Sequence, residues 1–163
     1  MRLYLIGLPG VGKSRIGQLL SRKLKLDFYD TDKIIEQKTN QVVKDIIRLK
    51  GESYFRRLET ETLIELLKID GVIACGGGVV EVLENKNYLQ GIVIYLKTDP
   101  KDLSFTKEEL EQRPLLETRG IENLYRKRAE KYQQFSHLII DVSHKSDDEI
   151  ISEVVNYYEN INH

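Results

Sequence analysis

Near its amino terminus the chain carries an eight-residue motif whose side-chain types and spacing suit phosphate binding. Residues 7–14 read Gly-Leu-Pro-Gly-Val-Gly-Lys-Ser and fit the pattern Gly-x-x-x-x-Gly-Lys-Ser/Thr. Glycines let backbone N–H groups approach phosphate oxygens, because a Cβ atom would block that approach. Lys13 would place its charge on the β- and γ-phosphates, and the Ser14 hydroxyl would ligate Mg²⁺. The motif predicts a nucleoside triphosphate site; the alternative is a glycine-rich turn.

The surrounding elements are those that such a loop needs. Short apolar runs alternate with helical patterns, which favours βαβ units and a parallel sheet. Predicted strands are Arg2–Ile6, Asp27–Tyr29, Val72–Cys75, Ile92–Lys97 and Leu138–Asp141. Predicted helices are Arg15–Lys25, Lys33–Lys38, Val42–Leu49, Ser53–Leu67, Leu124–Phe135 and Asp148–Tyr158. The first helix would direct the partial positive charge of its N-terminus at the bound phosphates.

Composition favours a single soluble domain over residues 1–163. The net charge of −1 gives no electrostatic case for nucleic acid or an anionic membrane surface. No apolar run approaches the roughly 20 residues that span a bilayer. The single cysteine, Cys75, excludes an internal disulfide and fits a reducing compartment. We therefore expect a cytoplasmic protein without nucleic-acid or membrane partners. We also expect a monomer, although composition does not bear on oligomeric state.

Two acidic residues follow the second predicted strand directly, in the run Asp30-Thr31-Asp32. Phosphate-loop proteins usually hold Mg²⁺ with help from an aspartate at a neighbouring strand end, but the third predicted strand ends in glycines. Because the ends of parallel strands share one edge, we predict that Asp30 reaches the hydrated metal and Asp32 faces an incoming hydroxyl. The alternative is that Thr31 or Asp32 caps the helix that follows.

A candidate acceptor pocket combines arginines with exposed backbone. The run Gly76-Gly77-Gly78 would let bare backbone approach a ligand, although it could also be a flexible turn. Arg56 and Glu59 share a helix face, and alone they would be a surface ion pair worth under about 1 kcal/mol. Lys127 and Arg128 lie on a helix that could fold back across the site. Two guanidinium groups beside N–H donors would bind a small carboxylate.

The segment Thr98–Leu116 does not fit a compact sheet. It is polar, contains Pro100 and Pro114, and has one short helical pattern near residues 107–112. Long loops in small nucleotide-binding domains are commonly lids, and the alternative is a solvated surface excursion. We predict a lid at about residues 98–116, with Arg113 reaching the site from its end.

Together these motifs resemble the shikimate kinase family, whose members are P-loop kinases of the nucleoside-monophosphate-kinase type. The shared elements follow the family's order at near-family spacing over almost the whole chain. They are Gly-Leu-Pro-Gly-Val-Gly-Lys-Ser at 7–14, Asp-Thr-Asp at 30–32, Gly-Glu at 51–52, Phe-Arg-Arg-Leu-Glu at 55–59, the triple glycine at 76–78, Arg-Pro-Leu-Leu at 113–116 and Lys-Arg-Ala at 127–129. The phosphate loop alone indicates the superfamily, whereas the other motifs together are specific.

The resemblance implies an α/β, three-layer P-loop kinase fold: a five-stranded parallel sheet of order 2-3-1-4-5, flanked by helices and carrying a lid. It implies transfer of the ATP γ-phosphoryl group to the 3-hydroxyl of shikimate, a step toward chorismate and the aromatic amino acids. Mg²⁺ would be the cofactor and ATP the co-substrate, and the acceptor-binding region would lie at about residues 30–60.

The resemblance and the residue patterns together define the candidate site. Catalytic roles fall to Lys13, Asp32 and Arg113. The predicted ATP contacts are Gly10, Val11, Gly12, Lys13, Ser14, Arg15 and Arg113, with Ser14 and Asp30 on the metal. The predicted shikimate contacts are Asp32, Arg56, Gly76, Gly77, Gly78 and Arg128.

Two other functions are compatible with part of this pattern. A kinase for another small acceptor, such as gluconate or a nucleoside monophosphate, would use the same phosphate loop. A nucleotide-operated switch would bind a partner without phosphorylating a metabolite. Guanine-specific switches carry Asn-Lys-x-Asp, and the nearest run here, Asn85-Lys86-Asn87-Tyr88, lacks the aspartate.

Overall fold

Five parallel strands form the centre of the molecule, whose structure is a computed structural model that describes residues 1–162. The strands are β1 (Arg2–Ile6), β2 (Phe28–Asp30), β3 (Gly71–Ala74), β4 (Ile92–Lys97) and β5 (Leu138–Asp141). Their order is β2-β3-β1-β4-β5, and β1 pairs with β3 on one side and β4 on the other. The predicted strand order is confirmed, and β2 and β3 are displaced by one residue from their predicted bounds.

Eight α-helices flank the sheet within the described residues. They are α1 (Lys13–Leu24), α2 (Thr31–Thr39), α3 (Val43–Lys50), α4 (Glu52–Glu65), α5 (Lys107–Glu111), α6 (Pro114–Arg119), α7 (Ile121–Phe135) and α8 (Asp147–Ile161). Sequence periodicity did not predict the short helix α6. It begins within the predicted lid and extends three residues past its end. Proline suits its first position, where the missing N–H costs no hydrogen bond. No helix up to residue 162 combines the length and apolar character that a bilayer span requires.

The apolar core has two layers because side chains of β1 alternate between the two faces of the sheet. Leu3 and Leu5 pack with residues of α1 and α8, such as Ile16 and Ile150. Tyr4 and Ile6 face the other way, in a cluster with residues of α4 and α7. With the sheet between these two helical layers, the predicted three-layer architecture is confirmed.

A smaller apolar cluster fixes the start of α4. Ile35 of α2, Ile46 of α3 and Phe55 of α4 are buried against one another. Phe55 immediately precedes Arg56, so this cluster sets the position of the first turns of α4. The three helices form the part of the molecule where the acceptor-binding region was predicted.

The carboxyl ends of the strands meet at one edge of the sheet, as parallel pairing requires. The phosphate loop follows β1, and Asp30 is the last residue of β2. The triple glycine follows β3, and residues 98–113 follow β4. Sheet topology therefore brings segments that are far apart in sequence to one edge.

Replacing a buried side chain of β1 tests the packing of the core that supports this edge. We expect Leu5→Ala, at a side chain that is 0% exposed, to lower the free energy of unfolding by about 2–5 kcal/mol, because it leaves a cavity. Leu49→Ala is the matched control, because Leu49 is 74% exposed, and it should change stability by less than about 0.5 kcal/mol. Urea denaturation of both variants measures the difference, and equal stabilities would contradict the assigned packing.

Candidate active site

The phosphate loop ends in a helix whose first N–H groups are free to bind an anion. Gly10 and Gly12 have φ angles of 85° and 106°, a region that side-chain-bearing residues rarely adopt. Gly12 is the N-cap of α1, and no side chain caps that helix. The N–H groups of the first turn have no intrahelical partner and point towards the loop, where the helix dipole also favours negative charge.

Lys13 lies inside this loop. Its ammonium group donates to the carbonyl oxygens of Gly7 and Leu8, at 2.7 and 3.0 Å. Burial, followed by the nearby charge of Arg113, lowers the pKa of Lys13 to about 8. An anion in the loop would offset both effects, so the environment of Lys13 favours a ligand that carries negative charge.

Asp30 joins the predicted metal site to helix α2. One carboxylate oxygen accepts a hydrogen bond from the Ser14 hydroxyl at 2.9 Å. The other accepts from the backbone N–H groups of Asp32 and Lys33, which makes Asp30 the N-cap of α2. The alternative that Thr31 or Asp32 provides this cap is wrong. Thr31 instead accepts a hydrogen bond from the N–H of Gly76, which ties α2 to the end of β3.

Two carboxylates, Asp32 and Glu59, lie beside Gly76. A Cβ atom on Gly76 would come 2.5 Å from Glu59 Oε2 and 3.2 Å from Asp32 Oδ1, so a larger residue there would displace the Glu59 carboxylate. Both oxygens are buried without a hydrogen-bond partner in the described structure. Burial, followed by the charges of Glu59 and Asp30, raises the pKa of Asp32 to about 7. Asp32 is thus poised to exchange a proton near neutral pH.

Arg56 is a buried ion-pair residue and not part of a surface pair. Its guanidinium group donates to Glu59 at 2.7 Å and to Glu52 at 3.1 Å, and only 8% of the residue is exposed. The simple surface interpretation of Arg56 and Glu59 is therefore wrong. The guanidinium lies against Gly78, where a Cβ atom would come 2.2 Å from Nη2. The glycine makes room for the arginine.

Arg128 reaches the triple glycine from α7. A Cβ atom on Gly77 would lie 3.2 Å from Arg128 Nη1 and 3.0 Å from Pro9 of the phosphate loop. Arg128 donates through Nε to Glu81 at 2.8 Å, and Glu81 also contacts Arg56 and Lys127. Burial raises the pKa of Glu81, but the hydrogen bond from Lys127 and the charge of Arg128 together outweigh it and lower this pKa to about 2.

The predicted lid contacts the phosphate loop through two side chains. The Phe105 ring lies on Gly10, since a Cβ atom there would be 2.7 Å from the ring. The Arg113 guanidinium lies 5.7 Å from the centre of that ring, and its Nη1 is buried without a partner. Arg113 therefore reaches the edge where Lys13 lies.

Nearly all the predicted residues line one cavity of about 660 Å³. The lining includes Gly10, Gly12, Lys13, Ser14, Arg15, Asp30, Asp32, Arg56, Gly76, Gly77, Gly78, Arg113 and Arg128. Val11 differs, because its side chain is buried in the core and only its backbone could meet a ligand. Arg15 lies at the exposed margin, where it forms an ion pair with Asp147 at 3.2 Å.

Sequence reasoning missed Glu81, Glu52 and Phe105. Glu52 appeared only within a family motif, and it binds both Arg56 and Arg119. Glu81 is the only charged residue in the run Val79-Val80-Glu81-Val82, and a lone acid in an apolar run was an available signal. Phe105 carried no signal, because one aromatic residue in a polar loop has no defined partner before the fold is known.

Known proteins are similar in sequence to this chain over most of their length. The family model described as shikimate kinase matches residues 9–159. A shikimate kinase of Bacillus cytotoxicus is 36% identical over 157 residues, which cover 94% of this chain and 95% of that protein. A shikimate kinase of Legionella pneumophila is 39% identical over 158 residues, covering 94% of this chain and 90% of that protein.

Solved structures agree with the fold. The shikimate kinase of Acinetobacter baumannii, in complex with shikimate, has a TM-score of 0.89 and 28% identity, covering 98% of this chain and 93% of its own. The shikimate kinase of Aquifex aeolicus has a TM-score of 0.81 and 32% identity, covering 99% of this chain and 98% of its own.

The raised pKa of Asp32 predicts that its ionised carboxylate lowers the stability of the fold at neutral and higher pH. The folded protein binds this proton more tightly than the unfolded chain, where an aspartate titrates near about pH 4. The contribution of Asp32 to stability therefore falls as the pH rises from about 4 to about 7. Asp32→Asn should raise the free energy of unfolding at pH 8 by on the order of 2 kcal/mol, with the gain vanishing near pH 4.

Denaturation curves at both pH values measure this effect. Asp27→Asn, at an exposed aspartate, is the control and should shift stability by less than about 0.5 kcal/mol at either pH. A stability gain for Asp32→Asn that did not depend on pH would contradict the assigned proton affinity.

Proposed function

The chain belongs to the shikimate kinase family, and we propose that its cavity transfers the γ-phosphoryl group of ATP to the 3-hydroxyl of shikimate. The products are shikimate 3-phosphate and ADP. One observation carries this assignment: Arg56 and Arg128 line the same cavity as Lys13 and Asp32. A receptor for a small carboxylate and a receptor for polyphosphate therefore open onto one space.

The acceptor binds through its carboxylate to the two arginines. Both guanidinium groups are held by protein carboxylates on part of their edge, which fixes their planes. Planar donors in fixed positions suit bidentate binding of a carboxylate. This contact orients the ring of shikimate, so that its 3-hydroxyl faces the γ-phosphorus.

Asp32 accepts the proton of the reacting hydroxyl. Its Oδ1 is buried and has no hydrogen-bond partner in the described structure, and its pKa of about 7 suits a general base at neutral pH. As the hydroxyl oxygen bonds to the γ-phosphorus, the bond from that phosphorus to the oxygen of ADP breaks. The hydroxyl proton moves to Asp32.

Lys13, Arg113 and the first turn of α1 stabilise the charge on the transferred group. Phosphoryl transfer depends mainly on positioning and charge stabilisation, so these fixed cations carry most of the rate enhancement. Arg113 belongs to the predicted lid, whose Phe105 covers Gly10. Closure of residues 98–116 over the site would exclude water, which would otherwise compete as acceptor.

Ser14 and Asp30 are the residues that would hold Mg²⁺. Their hydroxyl and carboxylate oxygens are hard ligands 2.9 Å apart, and Mg²⁺ is usually bound by one or two such groups together with phosphates and water. When bound, the ion neutralises phosphate charge. The cavity thus fits a metal that arrives with ATP.

We also infer the setting in which the reaction takes place. The chain acts as one domain over residues 1–163, with a lid at about residues 98–116. We propose a cytoplasmic monomer whose partners are ATP and shikimate, without nucleic acid or membrane. The net charge of −1 supports the absence of nucleic-acid and anionic-membrane partners, because it offers no attraction to polyanions.

The decisive measurement is acceptor-dependent release of ADP by purified protein with ATP and Mg²⁺. Shikimate should support turnover, whereas gluconate and nucleoside monophosphates should not. Arg128→Ala should raise the KM for shikimate about 10- to 100-fold, since charge-assisted hydrogen bonds contribute about 1.5–3 kcal/mol. Arg126→Ala is the matched control, because Arg126 is exposed on the same helix. ADP release that no small acceptor stimulates would instead favour a nucleotide-operated switch.

Lys13→Ala tests the polyphosphate half of the cavity. Loss of one preorganised charge should lower kcat by about 10²- to 10³-fold, or roughly 3–4 kcal/mol. Lys23→Ala, at an exposed lysine of the same helix, should leave kcat unchanged. Steady-state kinetics on both variants make the comparison. A normal kcat for Lys13→Ala would contradict the proposed role of Lys13 in phosphoryl transfer.

A further inference from the structure

We propose that Glu81 is a positioning residue for the acceptor: it holds the guanidinium groups of Arg56 and Arg128 at a fixed separation, so that their remaining N–H groups match one carboxylate. This inference rests on the proposed function, because it assigns the two arginines to acceptor binding. Glu81 itself touches neither substrate.

One carboxylate joins three cations from two helices. Arg128 of α7 donates to Glu81 Oε2 through Nε at 2.8 Å and also through Nη2. Arg56 of α4 reaches the same oxygen through Nη2 at 3.5 Å. Lys127 of α7 pairs with the other oxygen, Oε1, at 2.5 Å. A single oxygen therefore bridges the two guanidinium groups that line the acceptor cavity.

Glu81 lies behind the arginines and not among the acceptor contacts. The lining of the acceptor cavity includes both arginines but not Glu81. Glu81 lines a second cavity of about 530 Å³, together with Glu52, Thr60 and Glu84. Arg56 lines both cavities, so it separates them. This placement allows Glu81 to orient the arginines without competing for the acceptor carboxylate.

The backbone around Glu81 is itself rigidly held. Glu81 ends a short 3-10 turn, Val79–Glu81, whose first two residues are 1% exposed. Asn85, which is 0% exposed, donates to the carbonyl oxygen of Val79 at 2.8 Å and accepts from Thr60 of α4 at 2.6 Å. These bonds fix the turn that carries Glu81 relative to α4. The backbone of Glu81 is therefore held in one position, from which its carboxylate pairs with both arginines.

The two arginines depend on Glu81 to different degrees. Arg56 is also held by Glu59 and Glu52. Among the described side chains, Glu81 is the only carboxylate that pairs with Arg128. Removal of its charge would leave the buried Arg128 without that constraint, while Arg56 would keep two partners. The effect should therefore appear mainly through Arg128.

Steady-state kinetics on Glu81→Gln provide the test. The KM for shikimate should rise by about 10-fold, the lower end of the loss found when a hydrogen-bonded partner that orients a metal-binding ligand is removed. The KM for ATP should stay unchanged, and kcat should change less than the KM for shikimate. Glu84→Gln is the matched control, because Glu84 is exposed on the same second cavity and contacts Tyr88 instead. It should leave both KM values unchanged.

A double-mutant cycle separates this inference from the proposed function. Glu81→Gln should raise the KM for shikimate less in the Arg128→Ala background than in the wild type. If Arg128→Ala itself leaves this KM unchanged, the proposed acceptor site is wrong. If Arg128→Ala raises it and Glu81→Gln does not, the role of Glu81 alone is overturned. A lower KM in Glu81→Gln would also overturn it, since Glu81 would then compete with the acceptor.

The conservative variant Glu81→Asp guards against loss of folding. It keeps the charge on a shorter side chain and should give a KM for shikimate between those of the wild type and Glu81→Gln. Thermal unfolding of each variant identifies a protein that no longer folds. In that case Glu81→Asp decides, and an unchanged KM for shikimate in that variant would refute the proposal.

Discussion

The constraint that shapes this molecule is the burial of several like charges in one cavity. Lys13, Arg56, Arg113 and Arg128 converge there, and each raises the cost of charge on the others. Carboxylates offset this by pairing with the guanidinium groups of Arg56 and Arg128, whereas Nη1 of Arg113 is buried without a partner in the described structure. Burial and the nearby charge of Arg113 lower the pKa of Lys13, so negatively charged phosphate and carboxylate ligands would stabilise the positive charges that the protein holds in this cavity.

The order and direction of the strands make this convergence possible, because the carboxyl ends of parallel strands meet at one edge of the sheet. The phosphate loop, the triple glycine and the predicted lid follow β1, β3 and β4, and Asp30 ends β2, so short connections bring these segments to the shared edge. Helices α4 and α7 then bring Arg56 and Arg128 to the same cavity. Asp30 has two structural roles at this edge, since its carboxylate caps α2 and also accepts a hydrogen bond from Ser14. The position of the candidate metal site and the start of the helix that carries Asp32 are therefore set by the same group.

Sequence patterns predicted the features that depend on local chemistry. The phosphate loop, the five strands and the acidic run after β2 each carry their signal within a few residues, and the structure confirms their placement. The sequence could not predict that Asp30 caps α2 or that the pair of Arg56 and Glu59 is buried. Both depend on which faces of distant elements meet. Glu81 bridges helices some 25 and 47 residues away, beyond any local pattern.

The triple glycine has a consequence for variation among relatives of this chain. None of its three φ angles is positive, so glycine is favoured there for space and not for a left-handed backbone. The volume that a methyl group would need at Gly78 is filled by the guanidinium of Arg56, and at Gly76 by the carboxylate of Glu59. A bulkier residue at either position is tolerable only if its neighbour shrinks or moves. These sites should therefore covary, so that glycine and its polar partner are lost or retained as a pair.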